Sequence, residues 1–389
     1  MKSLLITIFS TILVTQTQIE LTNIQYIEFK EGGRILRPTF SPDGDYLVVE
    51  QFGGSKSSNI DQKIIFIDMK NLKKFQVKKT SASKKPLKCS DLKWSIAESD
   101  YAYLTAKLSG RERFYKINYK NMISGNRNYM IEWTDNIFGI GKRGNQLHSF
   151  SITEYGNKDI ILFCFVDQAK GLVTQNQFGF YTDGVREIIY PNLENAFTQM
   201  EFNSLSDGYL SLMQTDKNNN NMIILMEDPL DDADSQIKLS PYNNNLIVYE
   251  KKLNVNTSDD LYLSFLAKKV EKKKEKITEL YIVEDPFDND AIRRIVSSIH
   301  IVDEGNEKLN NFNHQWHPET NIIFYIKRII EEKHDRHVLY AYDVENNEEI
   351  EINTGLDDLQ HLAISADGHK IALCGIVPGR LWVGELVIN

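Results

Sequence analysis

Apolar and polar residues along this chain alternate in short runs punctuated by Gly, Pro, Asn and Asp, the pattern of strands and turns rather than of long helices. The clearest unit runs from Arg37 to Thr80: RPTFS, then PDG, then DYLVVEQF, a polar loop, KIIFIDMK, the pair NL, and KKFQVKK. That is four strands joined by three turns. Its first hairpin recurs as Ser365-Ala366-Asp367-Gly368 before KIALCGIV and as Ser206-Asp207-Gly208 before YLSLMQ, with Asp-Gly supplying the positive φ that tight hairpins need. Its third strand recurs at Arg113, Gln177, Met222, Glu279 and Val338, and the turns at Glu227 and Glu284 share Glu-Asp-Pro-x-Asp.

A repeat of this length, made of four strands, is the signature of a β-propeller. Stacking the units places blades near residues 35 to 80, 86 to 133, 147 to 190, 196 to 240, 244 to 298 and 308 to 354, with a three-stranded unit from 357. The strand missing from that unit is expected from the N-terminal segment Asn23 to Phe29, which removes an open sheet edge. The expectation is one all-β domain over residues 19–389 with about seven four-stranded blades, six and eight being alternatives. Blade five carries the ambiguity. Either Leu239 to Lys251 holds its first two strands, or Leu261 to Asp285 holds its second and third.

FSPDGDYLVV and ISADGHKIAL resemble the propeller repeats of the TolB-like family, which also occur in the propeller domains of prolyl oligopeptidase relatives. The paired Gly-His and Trp-Asp signatures of WD repeats are absent, so the likeness to that group is of fold alone. Such a resemblance implies a fold and not a chemistry. The chain has no G-x-S-x-G elbow for an accompanying hydrolase domain.

Composition narrows the classes. Over 389 residues, 41% are hydrophobic, 11% aromatic and 25% charged, enough for a packed core. The formal net charge of −9 gives no global positive field for nucleic acid. Residues 1–18 read as a secretory signal, with Lys2 followed by LLITIFSTILV and a polar end, too short an apolar run to span a bilayer. Asn256, in Asn-Thr-Ser, is a glycosylation sequon. Together they predict a secreted or endomembrane-lumen protein, with an intracellular complex as the alternative. Cys89, Cys164 and Cys374 do not form a disulfide framework, and Cys164 and Cys374 sit in apolar runs as core residues.

Candidate chemistry lies along the first strands of the repeats, which align on Phe40, Trp94, Ile152, Phe202, Trp316 and Ile364. Three places earlier stand Arg37, Asp91, Ser149, Gln199, Asn313 and His361, all polar. Period-two alternation assigns this column to a central channel. Arg37, Asp91, Gln199 and His361 then form a ligand-binding cluster at its mouth or line a solvated tunnel. As an enzyme, the chain would be a lyase or hydrolase for an anionic or sugar-like substrate, with Arg37 clamping the anion, His361 as acid or base and Asp91 orienting it. No metal or cofactor is expected from the spacing of His and carboxylates. The second candidate is a partner-binding face. Long hairpins at Lys268 to Lys276 (Lys268, Lys269, Lys272, Lys273, Lys274) and Ile329 to Arg336 (Glu331, Lys333, Arg336) are expected to project together. A non-enzymatic scaffold that binds another protein or a surface ligand is the leading reading.

Overall fold

The computed structural model describes residues 17–30, 32–53, 62–78, 88–108, 111–126, 128–133, 146–169, 173–182, 185–193, 197–202, 210–215, 221–226, 236–239, 246–255, 262–270, 276–284, 295–302, 314–331 and 334–389. Residues 1–16 of the expected signal segment, Asn256, Lys272, Lys273, Lys274 and Lys333 lie outside them. Among the described residues, the strands form seven four-stranded antiparallel sheets, the blades of a β-propeller.

The chain begins with β1 (Ile19–Tyr26). Blade one follows as β2 (Arg34–Phe40), β3 (Tyr46–Phe52), β4 (Gln62–Asp68) and β5 (Lys74–Gln76). Blade two is β6 (Lys88–Trp94), β7 (Tyr101–Leu108), β8 (Arg111–Asn118) and β9 (Met130–Trp133), with the short helix α1 (Tyr119–Ile123) before β9. Blade three is β10 (Gln146–Tyr155), β11 (Lys158–Ala169), β12 (Val173–Thr182) and β13 (Val185–Leu193). Blade four is β14 (Phe197–Phe202), β15 (Leu210–Thr215), β16 (Asn221–Met226) and β17 (Gln236–Leu239). Blade five is β18 (Leu246–Val255), β19 (Tyr262–Val270), β20 (Lys276–Glu284) and β21 (Ile295–Val302). Blade six is β22 (His314–Trp316), β23 (Ile322–Ile330), β24 (Asp335–Asp343) and β25 (Glu348–Glu351). Blade seven is β26 (Leu359–Ile364), β27 (Lys370–Gly375) and β28 (Leu381–Ile388), with β1 as its fourth strand.

The core lies in the seams between blades, and strand alternation puts it there. Along β4, Ile64 and Phe66 face the seam with blade two, while Ile65 and Ile67 face the seam with blade seven. Along β23, Ile322, Phe324 and Ile326 turn toward blade seven and Ile323 and Tyr325 toward blade five. A strand covered on both faces has no polar side to show. The middle strands are therefore near-continuous apolar runs. Cys374 is buried in the seam of blades seven and one, and Cys164 is buried in β11.

Two boundaries differ from the sequence expectation. The N-terminal strand spans Ile19–Tyr26 instead of Asn23 to Phe29, pairing Ile19 with Ile388 and Tyr26 with Trp382. Asn23 adopts φ 52° and shifts the register between Thr22 and Gln25, which keeps Ile19, Leu21 and Ile24 together on the apolar side. Ile27 and Phe29 leave the sheet and enter the seam of blades seven and one. In blade five, residues 246–255 form one innermost strand whose register shifts between Val248 and Leu253. The segment 261–285 thus supplies strands two and three, and the competing division of Leu239 to Lys251 is excluded.

Candidate functional site

The polar column coincides with a bulge repeated from blade to blade. Register shifts against the neighbouring strand fall between Leu36 and Thr39 in β2, Ser90 and Lys93 in β6, Leu147 and Ser149 in β10, Phe197 and Gln199 in β14, and Leu359 and His361 in β26. A bulge inserts an unmatched residue and turns the side chains around it, so simple alternation fails there. Arg37, Asp91, Gln199 and His361 all stand in or beside this bulge.

The described side chains of Arg37 and His361 stand in different surroundings. Arg37 holds φ 48°, a left-handed conformation unusual for a long side chain, and its guanidinium Nη1 lies 3.3 Å from Glu50 Oε1. That places a half-exposed cation over the buried carboxylate of its own blade, with Gln62 Nε2 donating to the other side of Glu50 at 3.4 Å. His361 is 5% exposed, paired with Cys374 in the ladder and flanked by buried Gln360 and Leu362. Both faces of β26 are covered, because β2 lies along one side of it and β22 along the other. For Asp91 and Gln199, the described structure is the backbone position.

At the other end of each innermost strand, a second set of polar residues builds contacts that the column alignment passed over. The residue after the aligned aromatic or isoleucine is Ser41, Ser95, Thr153, His317 or Ser365, each buried. In blade one, Ser41 Oγ donates to Asp43 Oδ1 (2.5 Å) and accepts from Tyr46 N (2.9 Å), while Asp43 Oδ1 accepts from Asp45 N (3.1 Å). Blade seven repeats this with Ser365, Asp367, His369 N and Lys370 N. Burial opposes the Asp367 charge, but the hydrogen bonds from Ser365 and His369 outweigh it and hold its carboxyl below the usual range.

These turns also lock blades together. Asp159 of blade three accepts from Ser95 Oγ (2.5 Å), Ile96 N (2.9 Å), Ala97 N (2.9 Å) and Tyr103 Oη (2.8 Å), all from blade two. Gln315 of blade six receives Ile364 N at 3.0 Å and donates to Ile364 O at 3.4 Å. Lys370 Nζ donates to Gly44 O at 3.1 Å, tying blade seven to blade one. His317 of blade six lies against Gly368 of blade seven. Burial lowers its pKa, against the opposing pull of a hydrogen bond with the Gly368 backbone and of Glu319. The Ser-x-Asp-Gly turns were readable in sequence. Asp159, Gln315 and Glu50 were not, because their partners are set by the packing of one blade on another or by the register of a sheet.

On the opposite face, the hairpins between second and third strands rise. The β23–β24 ladder continues to Ile330↔Asp335, and its tip is laced by ion pairs between Arg328 and Asp335 and between Arg336 Nε and Glu331 Oε1 (2.6 Å). The β19–β20 ladder continues to Val270↔Lys276, with Lys268 opposite Thr278 and Lys269 opposite Ile277. Blade three has a hairpin of the same paired length, out to Ala169↔Val173, which the sequence reading did not single out. Among the described residues, no group of three or more His, Cys, Asp or Glu is placed to hold a metal ion, and no helix is long and apolar enough to cross a membrane.

No family model and no curated protein matches the chain. Among solved structures, it is similar to the Dos1 propeller, with a TM-score of 0.49 and 11% identity over 94% of this chain and 95% of that one. It is also similar to the β-propeller domain of the Trilobed protease from Pyrococcus furiosus, with a TM-score of 0.46 and 14% identity over 82% and 83%. The chain is thus a β-propeller by its sheet topology, and its likeness to known proteins is one of fold.

Proposed function

We propose that the chain is a non-enzymatic binding scaffold that captures a protein partner through the face carrying the β19–β20 and β23–β24 hairpins. The observation that carries this reading is the tip of blade six, where cross-strand ion pairs hold an extended hairpin in one shape beyond the propeller body. A pre-ordered protrusion loses little conformational freedom on docking, and a neighbour of similar reach on blade five widens the surface. Blades five and six share one apolar seam, which sets the bases of the two hairpins side by side. Secretion belongs to the same proposal. Residues 1–18 are removed, Asn256 carries a glycan, and the folded strand starts at Ile19, next to the expected cleavage point.

The test replaces residues 271–275 and 331–334 with two-residue turns and measures capture of the partner that co-purifies with the native protein. Loss of capture with an unchanged unfolding transition supports the reading, and unchanged capture refutes it. Intact mass of the native protein decides the route. A chain still carrying residues 1–18 would mark an intracellular complex.

A further inference from the structure

Between residues 70 and 88 the chain places eight lysines and no Asp, Glu or Arg. The remaining 37 cations face 54 acidic residues, a formal net charge of −17, so the run is a local reversal on an otherwise acidic protein. It covers the outermost strand of blade one and the segment after it. Lys73, Lys74 and Lys78 are exposed on or beside β5, and Lys30 joins them from the β1–β2 connection. Lys74 Nζ sits 4.0 Å from the centre of the Phe29 ring and Lys73 Nζ 5.1 Å from that of Phe75, so both ammonium groups are steadied over aromatic faces. Lys74 feels its neighbours. Burial lowers its pKa, Glu28 opposes that, and Lys30 adds to it. Lys70 is already committed to Asp45, 3.2 Å away.

We propose that this edge of blade one is a docking track for an extended acidic polypeptide, distinct from the hairpin face on blades five and six. Three observations select that partner. The cations are all lysine, compact point charges that neutralise carboxylates without the planar fork that reads phosphates or bases. Phe75, the aromatic residue of the run, packs into the seam of blades one and two and is not offered for base stacking. Finally, among the described residues β5 has a sheet neighbour, β4, on one side only. A peptide can pair its main chain along the other side, which a lipid or a sugar chain cannot.

The experiment titrates full-length protein into fluorescein-labelled decaglutamate, read by anisotropy at about 20 mM and about 150 mM salt. The wild type should bind, more weakly at the higher salt. K30E/K73E/K78E, which leaves the Lys74 contact with Phe29 in place, should weaken binding about ten-fold or more at low salt. The neutral K30Q/K73Q/K78Q variant serves if charge reversal lowers the unfolding temperature. Charge reversal at Lys268, Lys269 and Lys276 should change affinity less than about two-fold. Wild-type affinity in the blade-one variant, or equal losses in both variants, overturns the proposal. So does tighter binding to heparin or to phosphatidylserine vesicles than to decaglutamate. Because the hairpin-trimming experiment reads a different face, either proposal can fail without the other.

Discussion

Replacing Asp159 by Ala tests whether polar locks between blades, and not apolar seams alone, hold this propeller together. The carboxylate is buried between blades two and three and accepts four hydrogen bonds, two from backbone N–H groups and two from hydroxyls. Alanine leaves those donors in a space where water has little access. Each buried donor left without an acceptor costs about 1–3 kcal/mol, less where a hydroxyl can rotate, and Ser95 Oγ keeps only its role as acceptor from Glu98 N. A loss of about 3–5 kcal/mol is expected, a large fraction of the stability of an ordinary domain. Asp159→Asn keeps an oxygen for Ile96 and Ala97 and presents N–H to two hydroxyls that can accept, so it should cost about 1–2 kcal/mol. Urea unfolding, followed by the fluorescence of Trp94 beside the lock, measures both. Tyr103→Phe supplies the third corner of a cycle. With Asp159→Ala it should show a coupling of about 1 kcal/mol or more, because the two groups share a hydrogen bond. A Cm for Asp159→Ala within about 0.2 M of wild type at unchanged m, together with additive behaviour in the cycle, would refute the reasoning.

Other outcomes follow from the same contacts. Gly368→Ala puts a Cβ 2.3 Å from His317 Nε2 at φ 71°, so it should lower stability by about 2–3 kcal/mol, whereas Gly32→Ala, at φ 67° with open space around it, should cost about 1 kcal/mol. Differential scanning calorimetry separates the two. Burial lowers the pKa of both His317 and His337, so the unfolded chain takes up protons first as pH falls below about 6.5. Stability should therefore decline from pH 7 toward pH 5, and His317→Gln should flatten part of that slope; a profile unchanged by this substitution would remove His317 from the account. Phe66→Ala, deep in the seam of blades one and two and ring-stacked on Tyr119, should cost about 3–5 kcal/mol by denaturant unfolding.

How much of this was legible in the sequence depends on the range of the interaction. Asp-Gly turns and apolar middle strands are local, and they gave the repeat, the seven four-stranded sheets and the two ends meeting in one blade. The N-terminal strand was expected at Asn23 to Phe29, whereas it spans Ile19–Tyr26 and Asn23 is a bulge inside it, set by pairing with β28. Arg37, Asp91, Gln199 and His361 lie on the first strands β2, β6, β14 and β26, but their facing was inferred from alternation, which the bulge interrupts. Glu50 beneath Arg37 and Asp159 beneath Ser95 carry no local mark. Each is an ordinary acidic residue until the sheets are stacked.

The pairing of β1 with β28 sets an order on biosynthesis. β1 pairs Ile19 with Ile388 and Tyr26 with Trp382, so its residues have no sheet partner until β28 has been synthesised. Blades one to six can close their own hairpins as they emerge, but Ile19, Leu21 and Ile24 keep apolar surface uncovered throughout that interval. Translation is therefore the period of greatest exposure to misassembly, and a chaperone that shields the first ten ordered residues would matter most then. The same geometry has a mechanical side. Because the two ends leave from the same end of an antiparallel pair, tension between them peels β1 from β28 one hydrogen bond at a time, and the seventh blade is where a pulled chain opens first.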